Sequence, residues 1–347
     1  MNHEPDDLRS LLFWELAQRR EAGYDVGHLD DTVRAAVADP ASSTEMLAKL
    51  LRDLEATSRP GFCEQDEPAD LAGILATPDV HPDPPPPTEI LEDRTRGGWL
   101  GRVAGNQLGK PVENGDHWTL RHLRDYLGRA DAYPLLDYIP VLDPMPPGFQ
   151  LRECWPTTTR GRIRGSERDD DIDYTILGLH VLETYGRGFT RADIAHEWLD
   201  RLPYLQTFTA ERVVYRNLVM GVPVPQARLD HNPYREWVGA QIRGDVFGFV
   251  CPGNPRAAAT LAYEDATLSH TANGVYGEMW AAALVAAAFT AGSARAALDA
   301  SLPVVPPRSR LAGALRFVIR AVTRGRRGSR RGAISRPRTA RTRGSTP

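Results

Sequence analysis

The sequence predicts an all-α protein, and the hydrophobic pattern supports this in two ways. Apolar residues recur at helical spacing over residues 172–186, 191–201, 209–219 and 256–268, as in amphipathic helices. The Ala-rich residues 275–291 follow, and their composition indicates a buried helix. Segments that alternate polar and apolar residues, the pattern of β-strands, are scarce. We therefore expect a fold built from helices.

Composition divides the chain into four parts. Residues 1–77 carry apolar side chains at helical spacing, and we expect a small helical module that packs on the main domain or mediates dimerisation. Residues 78–93 form a linker, because proline runs favour extended geometry. The main domain spans residues 94–322, and its proline-dense residues 133–160 predict a long ordered loop near a site or a flap over it. Residues 323–347 form a disordered Arg-rich tail.

The formal net charge of −3 conceals two oppositely charged regions. All 13 basic residues after Asp299 are arginines, with no acidic residue among them. The first 299 residues therefore hold the other 29 basic side chains against 45 acidic ones. The tail indicates either an anionic partner such as RNA or an extension without a function. It has no aromatic side chain on which bases stack, so nucleic-acid binding ranks third among our functional hypotheses.

Cysteine usage and the absence of apolar segments of membrane-spanning length bear on the compartment. Cys63, Cys154 and Cys251 are widely spaced and form no CxxC pair, which indicates reduced thiols and no zinc site. The N-terminus lacks a basic region followed by an apolar run, so we expect no secretory signal. Residues 275–291 contain Glu278 and are too short for a membrane span. We expect a cytoplasmic protein without a membrane partner.

The clearest local signal is an acidic run that precedes a predicted helix, Asp169-Asp170-Asp171-Ile172-Asp173. Four carboxylates within five residues repel one another unless positive charge lies among them. One interpretation is helix capping, in which carboxylates bind free backbone N–H groups and interact with the helix dipole. The other is a divalent metal site, since Mg²⁺ prefers carboxylate oxygens. The run alone leaves both interpretations open.

A second signal is the glycine-rich block RGGWLGRVAGNQLGKPVE, residues 96–113. Its glycines 97, 101, 105 and 109 recur every four residues and form one smooth stripe on a helix. Each glycine costs about 1 kcal/mol of helix propensity relative to alanine. We therefore expect close packing of another backbone, or the approach of a ligand, to offset this cost. Lys110-Pro111 ends the helix, and Glu113 follows at its exit.

A third block, residues 244–278, combines turn residues with a helix rich in small side chains. Asp265 and His270 flank a helix end, where a lone histidine is more often a hydrogen-bonded structural residue than a catalytic base. Glu278 lies within an apolar helix, and a buried carboxylate needs a partner.

Together the glycine-rich block, the acidic run and the third block, in that order along the chain, resemble the ADP-ribosylglycohydrolase family. The glycine-rich block is similar to the family's opening GxxxGxxLGxPxE helix. The acidic run is similar to its Thr/Asp-Asp-Asp metal motif, and the third block to the helical core of a bacterial branch. The resemblance covers roughly residues 94–320 and implies an orthogonal all-α helical bundle. Residues 280–347 contain no counterpart of the family's second acidic motif, a DxDxxGAxxG-like stretch, so we expect a C-terminally incomplete domain.

The resemblance also implies a two-ion Mg²⁺ centre, or Mn²⁺ as in some bacterial relatives, which holds the ribose diol and positions water at the anomeric carbon. It makes Asp169, Asp170 and Asp171 metal ligands, with Asp169 standing where many relatives carry a liganding Thr. Glu113 and Asp170 become the candidate catalytic residues, with Glu113 orienting or activating water. The ligands that the second motif would supply are missing.

The third block implies the substrate contacts, which we assign to Gly244, Asp245 and His270. The expected partner is an ADP-ribosylated protein or small molecule. Asn106 departs from the family pattern, since many relatives carry Asp there. Our first hypothesis is therefore a hydrolase that cleaves an ADP-ribosyl glycosidic bond. The second is a non-catalytic ADP-ribose-binding or structural relative, because the second metal motif is absent.

Overall fold

The computed structural model describes residues 5–77, 82–113 and 117–327. These residues form helices and no β-strand, so the prediction of an all-α protein is confirmed. None of the described helices is both long enough and apolar enough to cross a membrane.

The N-terminal region is a three-helix unit with its own core. Its helices are α1 (Pro5–Ala22), α2 (Asp30–Ala38) and α3 (Thr44–Glu55). Leucines from α1 and α3, including Leu12, Leu47 and Leu54, are fully buried between the helices. The unit also packs on the main domain, as one of our two alternatives proposed. There the Glu15 carboxylate accepts a hydrogen bond from Arg235 at 2.7 Å. Dimerisation through this unit stays a prediction.

The proline-rich segment is attached to the main domain where the structure describes it. After the short α4 (Leu71–Ile74), the N–H of Asp83 donates to the carbonyl oxygen of Gly253 at 3.0 Å. The long α5 (Thr88–Gly109) then begins, so residues 88–93 form helical turns although we assigned them to the linker. A 3₁₀ turn, Lys110–Val112, ends α5 at the predicted place.

The proline-dense segment is an ordered loop with a small core of its own. It follows α6 (Leu120–Arg129) and contains only the short α7 (Trp155–Thr158). Tyr126 is fully buried, packs against Phe149, and donates from its hydroxyl to the Pro140 carbonyl oxygen at 2.8 Å. The loop returns to the exit of α5, where the N–H of Arg152 donates to the carbonyl oxygen of Pro111 at 2.9 Å.

The main core is built around two consecutive helices that are rich in small residues, and each helix predicted from periodicity is present. The two central helices are α13 (Pro255–Ser269) and α14 (Ala272–Ala288). Alanines 258, 262, 282 and 286 have no exposed surface, so the two helices approach closely. The other helices of this core are α8 (Asp170–Tyr185), α9 (Arg191–Arg201), α10 (Thr209–Val219), α11 (Val224–Ala227) and α12 (Asp245–Phe249).

A buried ionic cluster lies within this core. Arg243, which ends the 3₁₀ helix Val238–Arg243, donates to Glu211 at 2.6 Å, to Ser269 at 2.7 Å and to Asp265. Glu278 is fully buried, and its nearest cation is Arg243 at 3.9 Å. Burial, together with the charge of Asp265, raises the pKa of Glu278 well above its usual range. The nearest partner that the structure gives Glu278 is therefore an arginine that Glu278 shares with Glu211 and Asp265.

Two helices complete the described chain, α15 (Ala294–Ser301) and α16 (Arg310–Arg327). Buried Ala312 joins α16 to the main core. The helix extends past residue 323, where we placed the start of the disordered tail. The rest of that predicted tail, residues 328–347, lies outside the described residues.

Candidate functional site

The acidic run lies at the N-terminus of α8, where it caps the helix. Asp169 is the N-cap residue, and its Oδ1 accepts a hydrogen bond from the backbone N–H of Asp171 at 3.2 Å. Asp170, Asp171 and Asp173 follow in the first turn, where negative charge interacts favourably with the helix dipole. The capping interpretation is therefore confirmed. Capping does not exclude a second role for the same carboxylates.

Positive charge from the chain itself lies among these carboxylates. Lys110, which follows α5, donates from Nζ to the Arg168 carbonyl oxygen at 2.7 Å and to Oδ2 of Asp169. The Arg168 side chain forms an ion pair with Asp173. Lys110 and Asp169 are both buried, so solvent screens their attraction little. These contacts offset the repulsion that the sequence pattern implies.

The side chains of α5 also hold the start of α8 against α12. Asn106 donates from Nδ2 to Oδ2 of Asp171 at 3.1 Å. Arg102 donates from Nε to the backbone oxygen of Asp171 at 2.9 Å, and its Nη1 lies 3.0 Å from Oδ2 of Asp245. Thr175 in α8 donates to the other oxygen of Asp245 at 2.8 Å. Asp171 and Asp245, separated by more than 70 residues, therefore belong to one polar site.

The pKa values of the neighbouring carboxyl groups shift in different directions. Burial, together with the Asp169 and Asp171 carboxylates, raises the pKa of Asp170 to about 7. Burial and the charge of Asp169 also raise the pKa of Asp171, although Arg102 opposes them. Burial acts in the same direction on Asp169, but the hydrogen bond and charge of Lys110 outweigh it and lower that pKa. The positive charge of Lys110 is therefore directed mainly to Asp169.

Glu113 lies beside the acidic run, at the exit of α5. Its carboxylate is exposed and forms an ion pair with Arg152 from the proline-dense loop. Although this carboxylate reaches solvent, partial desolvation by its neighbours raises the pKa of Glu113; the charge of Arg152 opposes this, and the charges of Asp169 and Asp171 add to it. The structure therefore brings Glu113 and the acidic run close together, as their assignment to one site requires.

A cavity of about 710 Å³ adjoins the acidic run and lies between α5, α8, α12 and α14. We call it the α5 cavity. Its volume lies within the range of small-molecule sites. Its polar lining consists of two guanidinium groups, one amide and two carboxylates, and its apolar lining includes two aromatic rings. These side chains are Arg94, Arg102, Asn106, Asp171, Asp245, Phe249 and Phe289.

The glycine stripe of α5 faces open space. A Cβ atom built at position 97, 101, 105 or 109 would meet no atom within 4 Å among the described residues, so the expectation of close backbone packing is wrong. Gly101 and Gly105 instead line the α5 cavity. The other alternative, the approach of a ligand, remains. Among the glycines of α5, the one in close contact is Gly98, where a Cβ would lie 2.7 Å from the Phe249 ring.

Two residues that we assigned to substrate contact lie in the core instead. His270 is fully buried, hydrogen-bonds Ser269 through Nδ1 at 2.8 Å, and has a pKa well below 6.5 because of burial and the Arg243 charge. Gly244 packs on α14, where a Cβ would lie 2.9 Å from the carbonyl oxygen of Glu278. Neither lines the α5 cavity. Both residues therefore contribute to packing. For His270 this agrees with the alternative that a histidine at a helix end is a hydrogen-bonded structural residue.

Several residues of the site were given no role in it from the sequence, although Asn106 and Lys110 were noted there. Arg94, Gly98, Arg102, Asn106 and Lys110 follow one another at four-residue intervals, one position after the glycines. The first four line the α5 cavity, and Lys110 reaches Asp169 at its end. The four-residue spacing that revealed the glycine stripe also applies to this second stripe, which is polar except at Gly98. Phe249 and Phe289 had no comparable signal, since isolated aromatic residues are typical of any core.

The described residues do not fit the two-ion metal centre that the family resemblance implies. Among residues 5–77, 82–113 and 117–327, no group of three or more His, Cys, Asp or Glu side chains converges in a way that could hold a metal ion. Both oxygens of Asp169 already bind groups of the protein, Lys110 and the N–H of Asp171. Asp171 accepts from Asn106, an amide donor at the position where many relatives carry Asp.

Comparison with known proteins adds one positive finding. The family model described as ADP-ribosylglycohydrolase matches residues 87–345, and this range contains α5, the acidic run and the α5 cavity. The match begins one residue before α5 and extends beyond residue 322, where we ended the family-like region. No curated protein and no solved structure matches the chain. The matched range covers well over half of the sequence, and the chain therefore belongs to the ADP-ribosylglycohydrolase family.

Proposed function

We propose that the protein binds an ADP-ribosyl group in the α5 cavity and hydrolyses its glycosidic bond beside the acidic run. Family membership supports a hydrolase of ADP-ribosyl linkages in general. The observation that carries the proposal is the mixed lining of the cavity. Arg94 and Arg102 suit a pyrophosphate, Phe249 and Phe289 suit an adenine ring, and the Asp171 carboxylate suits ribose hydroxyls.

The reaction replaces the bond between the anomeric carbon and the leaving group by a bond to water oxygen. As the first bond breaks, positive oxocarbenium character develops on the ribose. We assign the stabilisation of that charge to Asp170 and Asp171, since Asp171 lines the α5 cavity and Asp170 precedes it in the first turn of α8. Glu113, beside the run, is the group that we assign to orienting water and accepting its proton. The leaving nitrogen or oxygen takes up one proton, and Glu113 returns to its carboxylate form by passing on the proton that it took from water, so charge and atoms balance.

The Mg²⁺ or Mn²⁺ centre is not part of this proposal. The donor set at the acidic run does not fit two divalent ions, because Lys110 and Asn106 occupy Asp169 and Asp171. No step is therefore assigned to a metal. Measuring ADP-ribose binding and hydrolysis with and without Mg²⁺ determines directly whether either depends on the metal.

Calorimetry and a hydrolysis assay on the full chain test the proposal. We expect the wild type to bind ADP-ribose and to release it from peptides ADP-ribosylated on arginine or serine. The double variant Asp170→Asn/Asp171→Asn should lose both properties. Asp173→Asn is the matched control, because it removes a carboxylate of the same run that borders a different cavity. Failure of the wild type to bind millimolar ADP-ribose, or equal binding by the double variant, would contradict the proposal.

A second candidate is a non-catalytic protein that binds ADP-ribose. The ion pair between Lys110 and Asp169 favours it, because this contact occupies a carboxylate that the resemblance assigns to metal. Binding of ADP-ribose at the α5 cavity, without release from any ADP-ribosylated peptide in either metal condition, would support this candidate over the hydrolase. Binding of nucleic acid by the Arg-rich tail remains the third hypothesis, and deletion of residues 323–347 tests it.

A further inference from the structure

Lys110 is unusual in both composition and position. The sequence has only two lysines, Lys49 and Lys110, against 40 arginines. Lys49 is exposed on α3 and pairs with Asp53 one helical turn away. Lys110 is only 8% exposed, although a buried ammonium is costly unless it is paired. The lysine ammonium places its positive charge at one point at the end of the side chain.

Each carboxylate oxygen of Asp169 accepts a hydrogen bond from a group of the protein. Its Oδ2 accepts from Lys110, and its Oδ1 accepts from the N–H of Asp171 as the cap of α8. Lys110 is fixed by a second bond, from Nζ to the Arg168 carbonyl oxygen at 2.7 Å. The ammonium therefore lies between the end of α5 and the residue that precedes the acidic run.

The remaining carboxylates of the run differ in their cationic neighbours. Asp173 pairs with Arg168, and Asp171 accepts from the neutral amide of Asn106. A divalent ion at the run would therefore compete with Lys110 for Asp169. Ion and ammonium would lie within a few ångströms of each other, where their repulsion opposes binding.

We propose that Lys110 is a positioning residue that acts as the built-in cation of the acidic run, holding Asp169 as the cap of α8 and weakening divalent metal binding there. The ammonium supplies positive charge that a metal ion would otherwise provide. The inference concerns the run alone and does not depend on hydrolysis, since metal binding is read without ADP-ribose.

Titration of the full-length protein with Mn²⁺, followed by electron paramagnetic resonance of the free ion, tests this proposal. Lys110→Met removes the charge and keeps much of the side-chain length, and we expect it to bind Mn²⁺ about tenfold more tightly than the wild type or better. Lys110→Arg keeps the charge and should bind Mn²⁺ weakly, like the wild type. Lys49→Met removes the other lysine and should leave the affinity unchanged.

Equal or weaker Mn²⁺ binding by Lys110→Met overturns the proposal, because a purely structural lysine would give that result. If Lys110→Met does not fold, the double variant Lys110→Met/Asp169→Asn decides the matter. It removes both charges of the pair, so a folded double variant would support electrostatic compensation as the role of Lys110. Failure of both variants to fold would show that Lys110 acts through packing and would refute the inference.

Discussion

The open glycine stripe of α5 leads to a prediction about stability. Glycine in a helix interior costs about 0.8–1 kcal/mol relative to alanine, because it loses more backbone freedom on folding. At Gly101 and Gly105 a new Cβ would meet no atom within 4 Å among the described residues. No packing penalty therefore opposes the gain. The variant Gly101→Ala should be more stable by about 1 kcal/mol, and Gly101→Ala/Gly105→Ala by about 2 kcal/mol.

Gly248→Ala provides the contrasting control. A Cβ at position 248 would lie 2.5 Å from Cβ of Val285 and 2.7 Å from the carbonyl oxygen of Ala282. These atoms belong to α14 and move only with its backbone. Overpacking of this kind costs about 1–3 kcal/mol. The same substitution should therefore have opposite signs at the two positions.

Thermal unfolding followed by circular dichroism at 222 nm measures both effects. For a domain of this size, 1 kcal/mol corresponds to a change of about 2–4 °C in Tm. Loss of stability in Gly101→Ala, comparable to that of Gly248→Ala, would refute the reasoning. That result would mean that another chain or segment packs on the stripe in solution.

Two further predictions concern the buried ionic cluster. Because the pKa of Glu278 is higher in the folded than in the unfolded state, its contribution to stability is full below about pH 4.5 and is lost as the pH rises. Glu278→Gln should therefore leave Tm unchanged at pH 4 and raise it at pH 8, and an equal effect at both values would contradict this. Arg243→Met leaves two buried carboxylates without their cation and should cost about 3–5 kcal/mol, measured by urea denaturation. A loss below 1 kcal/mol would show that the pairing of Arg243 with these carboxyl groups contributes little to stability.

The helices were predictable because their pattern is local. The boundaries over residues 191–201 and 209–219 agree with the structure, since amphipathic spacing and capping residues act within a few turns. Thr190 illustrates this, because it caps α9 by a reciprocal pair of bonds with Asp193. The acidic run was also visible, since four carboxylates in five residues have few structural explanations.

The partners of these residues were not predictable, because they depend on how distant elements pack. Lys110 ends α5 in sequence, and only the packing of α5 against α8 brings its ammonium to Asp169. Likewise, Asp245 is one acidic residue among many until Arg102 and Thr175 converge on it. His270 shows the opposite error, since a polar residue near a motif can be buried for its hydrogen bonds alone.

The two stripes of α5 show why one periodicity left two interpretations open, the close packing of another backbone and the approach of a ligand. Spacing of four residues places glycines on one side of the helix and Arg102 and Asn106 on the adjacent side. Spacing cannot say whether a small face meets a neighbouring backbone or leaves room for a ligand. In this fold the adjacent polar residues bind α8 and α12, so the helix is already held without contact through its glycines. If the α5 cavity binds ADP-ribose as proposed, the glycines keep the cavity accessible at a cost in stability, and a Cβ at position 101 should lower the affinity for ADP-ribose. A variant that gains stability while losing affinity is what this reasoning requires.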